Sequence, residues 1–277
     1  MRIAYLGPAG TFTEDALREA AAGGDFEPLR TATVYDAILA VEAGKAERAL
    51  VPFENSIEGS VRTTLDTLAF EAGEVTIVGE HDFAVRAMLI AREAIELGAI
   101  EAVLSHPQPL AQCARFLREQ IPGAERRSVA STAEAVRLVS ESGEPLAAIG
   151  AHAAADLYDC TILREGIEDE ANNVTRFVWI APAGTEPQGG GEWKTSLVFS
   201  ELGEDHPGAL VDALREFSSR GVNLSRIESR PLRQGLGRYM FFCDLEGALA
   251  DEPVSGAIEA LRQKAESVRV LGSYPVA

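Results

Sequence analysis

Two periods of hydrophobicity alternate along the first 182 residues of this chain. Short apolar runs at Ile3 to Leu6, Ala49 to Phe53, Ile100 to Leu104 and Leu146 to Ile149 read as strands, joined by Arg126 to Val129. Between them apolar positions recur at helical spacing. Thr11 with Glu14, and Ser131 with Glu134, stand at the spacing of a capping box, in which a hydroxyl and a carboxylate satisfy each other's free N–H groups. Helices are expected from these points to about Ala21 and Ser140. Further helices are expected from Thr33, after Ser60 with Leu65, Leu68 and Ala69 on the apolar side, and over Pro109 to Gln120 and His152 to Tyr158. Strand–helix alternation of this kind indicates parallel sheets covered by helices. Val75 to Val78 and Phe83 to Ala91 read as one long extended region carrying the chain out of a first set of elements into a second. Cys160 to Leu163 and Val174 to Ile180 are expected to close the unit.

Pro182 to Glu192 is rich in Pro and Gly and lacks an apolar run, the composition of a linker. Beyond it the order changes to strand Lys194–Phe199, helix Pro207–Arg220, strands Val222–Ser229 and Arg238–Leu245, helix Pro253–Glu266 and strand Val268–Tyr274. That is the βαββαβ order of a ferredoxin-like domain.

A chain of 277 residues accommodates two cores. Its net charge of −18, from 43 acidic and 25 basic residues, argues against nucleic acid or an anionic membrane as partner. An anionic ligand would have to be held by local donors against that field. Cys113, Cys160 and Cys243 are far apart and show no metal-ligand or CxxC spacing, so reduced thiols and no metal are expected. Met1 to Leu6 reads as a strand and not as a secretory leader. No apolar run approaches the roughly 18 residues of a membrane span. A soluble cytoplasmic protein is expected.

Candidate chemistry gathers at the strand ends. Gly7-Pro8-Ala9-Gly10-Thr11, Glu54-Asn55-Ser56 through Gly59-Ser60, and Ala130-Ser131-Thr132 each lie between a strand and a helix start. Such turns offer unpaired N–H groups with hydroxyls beside them, and suit carboxylates. Each by itself is more often plain helix capping. The glycine turn is not a Walker A loop, because no Gly-Lys-Ser/Thr follows. Asn172-Asn173-Val174-Thr175-Arg176-Phe177 sets a hydroxyl beside a guanidinium at the start of a strand. Neighbouring strand residues point to opposite faces, so the two serve one ligand only where the strand begins or bends. Ser105-His106-Pro107-Gln108, with Gln112 and Cys113, forms a fourth polar cluster. His106 is readable as a general base or as a turn histidine bonded to backbone. No Ser-His-Asp arrangement is legible, and Cys113 lacks an electropositive setting. What remains is a cofactor-free site of neutral donors, one Arg and one carboxylate, Glu54.

Taken together, Gly7 to Phe12, Val51 to Ser60, Ser105 to Gln108 with Gln112-Cys113, and Asn172 to Phe177 resemble the motifs of the prephenate dehydratase family, in the same order. After the linker, Gly208-Ala209-Leu210-Val211 and Glu228-Ser229-Arg230-Pro231 resemble the two phenylalanine-binding motifs of that family's ACT regulatory domain. The resemblance implies a two-lobed α/β catalytic region similar to periplasmic binding proteins, over residues 1–182, with the site between the lobes. Lobe 1 would comprise about 1–78 and 160–182, lobe 2 about 79–159, followed by a linker at 183–192 and an ACT domain at 193–277. The implied reaction converts prephenate to phenylpyruvate, water and carbon dioxide. Thr175 would be the catalytic residue, the hydrogen-bond donor or acid at the departing hydroxyl, with Asn55, Gln112 and Glu54 orienting the ring and hydroxyl. Arg176, Ser56, Thr11 and Phe177 would bind substrate. Gly208, Ala209, Leu210, Glu228, Ser229 and Arg230 would take L-phenylalanine as allosteric effector, at an interface between subunits paired as a dimer or tetramer through this domain. An arogenate dehydratase, a non-catalytic ligand sensor and an amino-acid-regulated enzyme of unrelated chemistry remain as alternatives.

Overall fold

The computed structural model describes residues 1–21, 24–203 and 207–276. The first lobe opens with β1 (Arg2–Leu6), α1 (Phe12–Ala20), β2 (Glu27–Thr31), α2 (Val34–Glu42), β3 (Arg48–Asn55), the short β4 (Gly59–Ser60), α3 (Arg62–Phe70) and β5 (Val75–Ala84). The chain then crosses to a second lobe: β6 (Met88–Ala91), β7 (Ala102–Ser105), α4 (Pro107–Gln112), α5 (Ala114–Gln120), β8 (Glu125–Ser128), α6 (Thr132–Glu141), β9 (Leu146–Gly150), α7 (His152–Leu157) and β10 (Thr161–Glu165). It returns as β11 (Val174–Pro182), which runs antiparallel between β3 and β5.

The first sheet has the order β2-β1-β3-β11-β5, with β4 paired to β3, and the second β10-β6-β9-β7-β8. β1 runs parallel to β2 and β3, and β7 parallel to β8 and β9. Ala49, Leu50, Val51 and Phe53 of β3 are all buried. A strand covered on both faces by helices reads as such a near-continuous apolar run.

Several expectations are corrected by the sheets. β10 pairs with β6, so it belongs to lobe 2, and β5 lies wholly within lobe 1. The crossings therefore fall at residues 85–87 and 166–173, not at 78 and 160. They run side by side: Val85 N donates to Asn173 O at 2.8 Å and Ile167 N to Ala87 O at 3.1 Å. β2 was not expected at all. The helix expected over Pro109 to Gln120 is broken at Cys113 into α4 and α5. Residues 54–60 fold as the β3–β4 hairpin, and the helix expected after Ser60 follows as α3 from Arg62. Ser131 does cap α6, accepting from Glu134 N at 3.1 Å, and Thr33 caps α2 likewise at 3.0 Å. Thr11 makes no such bond, so the first capping box is not formed.

The C-terminal domain contains β12 (Trp193–Ser200), α8 (Ala209–Ser218), β13 (Leu224–Pro231), β14 (Tyr239–Glu246), α9 (Glu252–Arg262) and β15 (Ser267–Pro275). Its antiparallel sheet has the order β13-β14-β12-β15, the ferredoxin-like arrangement expected. One face packs under α8 and α9. The other is buried against lobe 1: Val198, Met240, Phe242, Leu271 and Tyr274 share a core with Ile38, Leu65, Leu68 and Ile77. Arg269 donates to the carbonyls of Leu68 and Ala72, each at 2.6 Å, at the end of α3. Gly272 lies so close to β5 that a Cβ there would sit 2.2 Å from Ile77 O. Among the described residues, no helix is long and apolar enough to cross a membrane.

Candidate active site

Thr175 is the second residue of β11, directly opposite Asn55 at the end of β3. Asn55 Nδ2 donates to Thr175 Oγ1 at 2.9 Å and to Asn173 Oδ1 at 2.8 Å. Its Oδ1 accepts from the backbone N–H groups of Ile57 and Glu58, both at 2.9 Å. These bonds fix which way the Asn55 amide faces. A hydroxyl has one donor and two acceptor positions. With one acceptor position of Thr175 taken by the amide, its own proton is left to point elsewhere.

Lobe 2 approaches this pair through Gln112 at the end of α4. Asn173 Nδ2 lies 3.5 Å from Gln112 Oε1, and Gln112 Nε2 lies 3.4 Å from Glu58 Oε1. A second contact joins the lobes at the glycine turn. Ala153 N, at the start of α7, donates to Asp15 Oδ1 at 3.0 Å. Burial pushes the Asp15 carboxyl up, against bonds from Ala153 and His152 that pull it down. Gly10 takes a φ of +79°, and a Cβ there would lie 3.0 Å from Ala154 Cα. The turn is held from below by Glu14, whose Oε2 accepts from Gly10 N at 2.9 Å and from Tyr5 OH at 3.0 Å. Burial would raise the Glu14 pKa, but these bonds and that from Arg18 outweigh it and the net shift is downward. The buried Tyr5 hydroxyl is pushed up to about 12, chiefly by burial.

Thr175, Asn55 and Gln112 are thus brought together, linked by Asn173, whose side chain is buried. The other candidates part from them. Arg176 faces the opposite side of the sheet. Its Nε meets Glu80 Oε2 at 2.6 Å, its Nη1 meets Asp244 Oδ2 at 2.6 Å, and its Nη2 donates to Tyr274 OH at 2.7 Å. Burial would lower its pKa, but Tyr274, Asp244 and Glu80 more than offset this. This corrects Arg176 as a substrate ligand: every side-chain nitrogen is already engaged. Glu54, paired across from Arg176, shares that face and lies 3.4 Å from Arg226 Nε of β13. Phe177 is buried edge-on to Phe83, with ring centroids 6.4 Å apart. It belongs to the core and not to the cleft. Ser56 spends its hydroxyl on β11, donating to Asn172 O at 2.7 Å and accepting from Val174 N at 2.9 Å. Thr11 Oγ1 donates to Pro8 O at 3.2 Å. His106 Nδ1 accepts from Gln108 N at 3.3 Å, the turn-histidine reading. Cys113 is buried, and its thiol is pushed up to about 12 by burial, with Glu168 and Asp169 adding.

In the C-terminal domain, Gly208 caps α8 with a φ of +102°. Ala209 and Leu210 line a cavity of ≈ 190 Å³ together with Leu232, Tyr239 and Phe241. Glu228 and Ser229 lie on β13 and are not among its lining residues. Arg230 is paired to Asp66 of α3 at 2.7 Å. Asp205 and His206, which precede this helix in the sequence, lie outside the described residues.

Residue-type reasoning overlooked Asn173 as a bridging group and Glu14 as the support of the glycine turn. It also overlooked Asp244, although an Asp inside the apolar run Met240 to Leu245 was a signal that something buried must answer it.

Two open α/β lobes joined by paired crossings, with a polar cluster between them, define a two-lobed unit, and the domain docked on it is ferredoxin-like. The comparisons make this specific. The family model described as prephenate dehydratase matches residues 3–185, and the ACT domain model matches residues 201–263. This chain belongs to the prephenate dehydratase family. A prephenate dehydratase of Mycobacterium marinum is 40% identical over 99% of this chain and 88% of its own. The solved structure of a prephenate dehydratase in complex with L-Phe from Arthrobacter aurescens is 39% identical with a TM-score of 0.89, covering 99% of this chain and 89% of that one. A solved structure described as GqqA, a novel type of quorum quenching acylase, is 32% identical with a TM-score of 0.88, over 100% of this chain and 98% of that one.

Proposed function

We propose that this chain converts prephenate to phenylpyruvate, with Thr175 assisting departure of the ring hydroxyl. The observation that carries the reading is the 2.9 Å bond from Asn55 Nδ2 to Thr175 Oγ1. It leaves the Thr175 proton available to a leaving oxygen at the mouth between the lobes. In the reaction the bond to the ring carboxylate breaks and its electron pair enters the ring. Carbon dioxide is released as the C–O bond opposite breaks, and the departing hydroxide takes up one proton from solvent and leaves as water. Aromatisation supplies much of the driving force, so the protein has to hold the substrate and stabilise the departing oxygen. A Thr hydroxyl is a weak acid, and a preorganised hydrogen bond describes its part better than full proton transfer. Gln112 and Asn173 would orient the ring hydroxyl, and the turn carrying Thr11 would meet a carboxylate. No cofactor enters this scheme.

Phenylalanine is the proposed effector, seated against Gly208, Ala209 and Leu210. β13 is an edge strand of its sheet with Ile227 on its outer side. A second copy pairing there, as dimer or tetramer, would bring Glu228 and Ser229 to the effector. Three free cysteines fit a reducing, cytoplasmic setting.

Prephenate turnover is to be measured with and without phenylalanine on wild type, Thr175→Ala and Thr175→Ser. Loss of a preorganised donor lowers kcat by roughly 10²–10³, and Ser should restore most of it. Fully active Thr175→Ala removes the assignment. A wild type that hydrolysed an acyl amide and left prephenate intact would overturn the reading itself. Arogenate in the same assay tests preference for the keto or the amino side chain.

A further inference from the structure

Behind the Asn55–Thr175 pair, on the far face of β3 and β11, two arginines lie against one ring. The guanidinium carbon of Arg176 is 5.0 Å, and that of Arg226 4.9 Å, from the Phe53 centroid. Phe53, Glu54 and Asn55 are consecutive on β3, and Arg176 follows Thr175 on β11. The C-terminal domain therefore touches a chain neighbour of each member of the pair.

The two arginines are held very differently. Arg176 engages Glu80, Asp244 and Tyr274, while Lys194 adds a second cation on Glu80 at 2.7 Å. Ser196 Oγ, 2.6 Å from both Asp244 Oδ1 and Tyr274 OH, completes the group. Two cations face two anions, and the assembly is an anchor. Arg226 is as deeply placed, 9% exposed, yet makes one hydrogen bond, from Nη2 to Ser60 Oγ at 2.7 Å. Among the described residues, its Nε and Nη1 have no hydrogen-bond partner. Nε does lie 3.4 Å from Glu54 Oε2, which is close enough for charge attraction without hydrogen-bond geometry. Buried donors left unmet are costly. A small shift of Arg226 toward Glu54 would satisfy Nε and disturb the bond to Ser60. Both partners belong to the hairpin that carries Asn55.

Arg226 also stands on the strand of the effector motif. Alternation along β13 puts Arg226, Glu228 and Arg230 on one face, and that face meets lobe 1, because Arg226 bonds Ser60 and Arg230 bonds Asp66.

We propose that Arg226 is the positioning residue through which the C-terminal domain sets the Asn55–Thr175 pair, with the Arg176 assembly as its fixed counterpart. Movement of β13 on effector binding exchanges Ser60 for Glu54 as the partner of Arg226. The hairpin then shifts, and the amide of Asn55 is displaced from Thr175 Oγ1. Coupling of two sites needs an element with two arrangements that both sites bias, and the half-satisfied Arg226 is that element.

This inference rests on the reading of the chain as a phenylalanine-regulated dehydratase. The test is a phenylalanine titration of prephenate turnover, with phenylalanine binding measured by calorimetry, on wild type, Arg226→Met and Ser60→Ala. Wild type should be inhibited by roughly 5–150-fold, and both variants should bind phenylalanine yet be inhibited less than about threefold. A merely structural loss would lower turnover without effector and leave the fractional inhibition unchanged. Variants that bind phenylalanine and are inhibited like wild type overturn the role of Arg226. Ser60→Ala removes one hydroxyl from a half-buried site and decides the question if Arg226→Met fails to fold. A wild type indifferent to phenylalanine removes the regulatory reading, and this inference with it.

Discussion

Thr175 and Arg176 are neighbours in the chain and face opposite sides of the lobe 1 sheet: Thr175 Oγ1 meets Asn55 at 2.9 Å, while Arg176 Nη1 meets Asp244 at 2.6 Å. One belongs to the cleft and the other to the domain interface. Substitutions at the two positions should therefore fail in different ways.

Arg176→Met should cost stability more than substrate affinity. It leaves Glu80 and Asp244 buried with fewer counter-charges, and removing one partner of a buried ion pair typically costs about 3–5 kcal/mol. Urea unfolding should show that loss, with the KM for prephenate of the folded fraction unchanged. Arg176→Lys should fall between, because an ammonium keeps the charge but not the planar fork of donors. A normal unfolding curve with a raised KM would return Arg176 to the cleft.

Asn55→Asp keeps the acceptor for Ile57 N and Glu58 N but exchanges the donating amide for a carboxylate. Thr175 would then turn its own proton onto that carboxylate. Misorientation on the scale of 1 Å costs on the order of 10²-fold in rate, and kcat should drop by about that factor while the melting temperature changes little. Undiminished turnover would show that the amide does not orient the hydroxyl.

Gly10→Ala forces a side chain into the left-handed region, which costs an L-residue roughly 1–2 kcal/mol. The new methyl would also meet Ala154 across the lobes, at 3.0 Å from its Cα and 3.1 Å from its Cβ. A lower melting temperature is expected together with a raised KM, since the same turn carries Thr11. Unchanged KM would mean that the turn does not meet substrate.

Asp66 makes the domain interface sensitive to acid. Burial pushes its carboxyl up, but Arg230 and Arg233 outweigh this and the net shift is downward. A depressed folded pKa means that the contribution to stability is complete above the unfolded value of about 4 and is lost as pH falls below it. Melting temperatures between about pH 5 and 3 should fall less steeply for Asp66→Asn, which should also be less stable than wild type at neutral pH. Parallel acid limbs would exclude the pair as a source of that sensitivity.

The legible parts of the fold were those set by local pattern. Apolar runs located β1, β3, β9 and β11, hydroxyl spacing located the start of α6, and the glycine linker separated the domains. β2, Glu27–Thr31, carries Pro28 and is largely exposed. An edge strand of that composition has almost no apolar signal to find. Thr175 and Asn55, which the structure brings within 2.9 Å, stand in motifs that each place a polar group at a strand end. Pairing Arg176 with Thr175 assumed a bend where the strand in fact stays regular: both residues keep register with β3 and β5, and the irregularity in the β3 pairing comes after Arg176. The partners that claim Arg176, at positions 80, 244 and 274, are distant in the chain, and no local pattern announces such a meeting.

The core shared by the C-terminal sheet and lobe 1 bears on how this protein can be taken apart. Cutting within the glycine-rich segment and expressing the front portion by itself would strip the cover from Ile38, Leu65, Leu68 and Ile77 and leave Arg269's carbonyl partners at the end of α3 to water. The fragment would carry a greasy flank and a tendency to clump. Altered versions of the C-terminal domain are therefore better made by point changes at the seam than by amputation, because that domain is also the wall against which the first lobe is built.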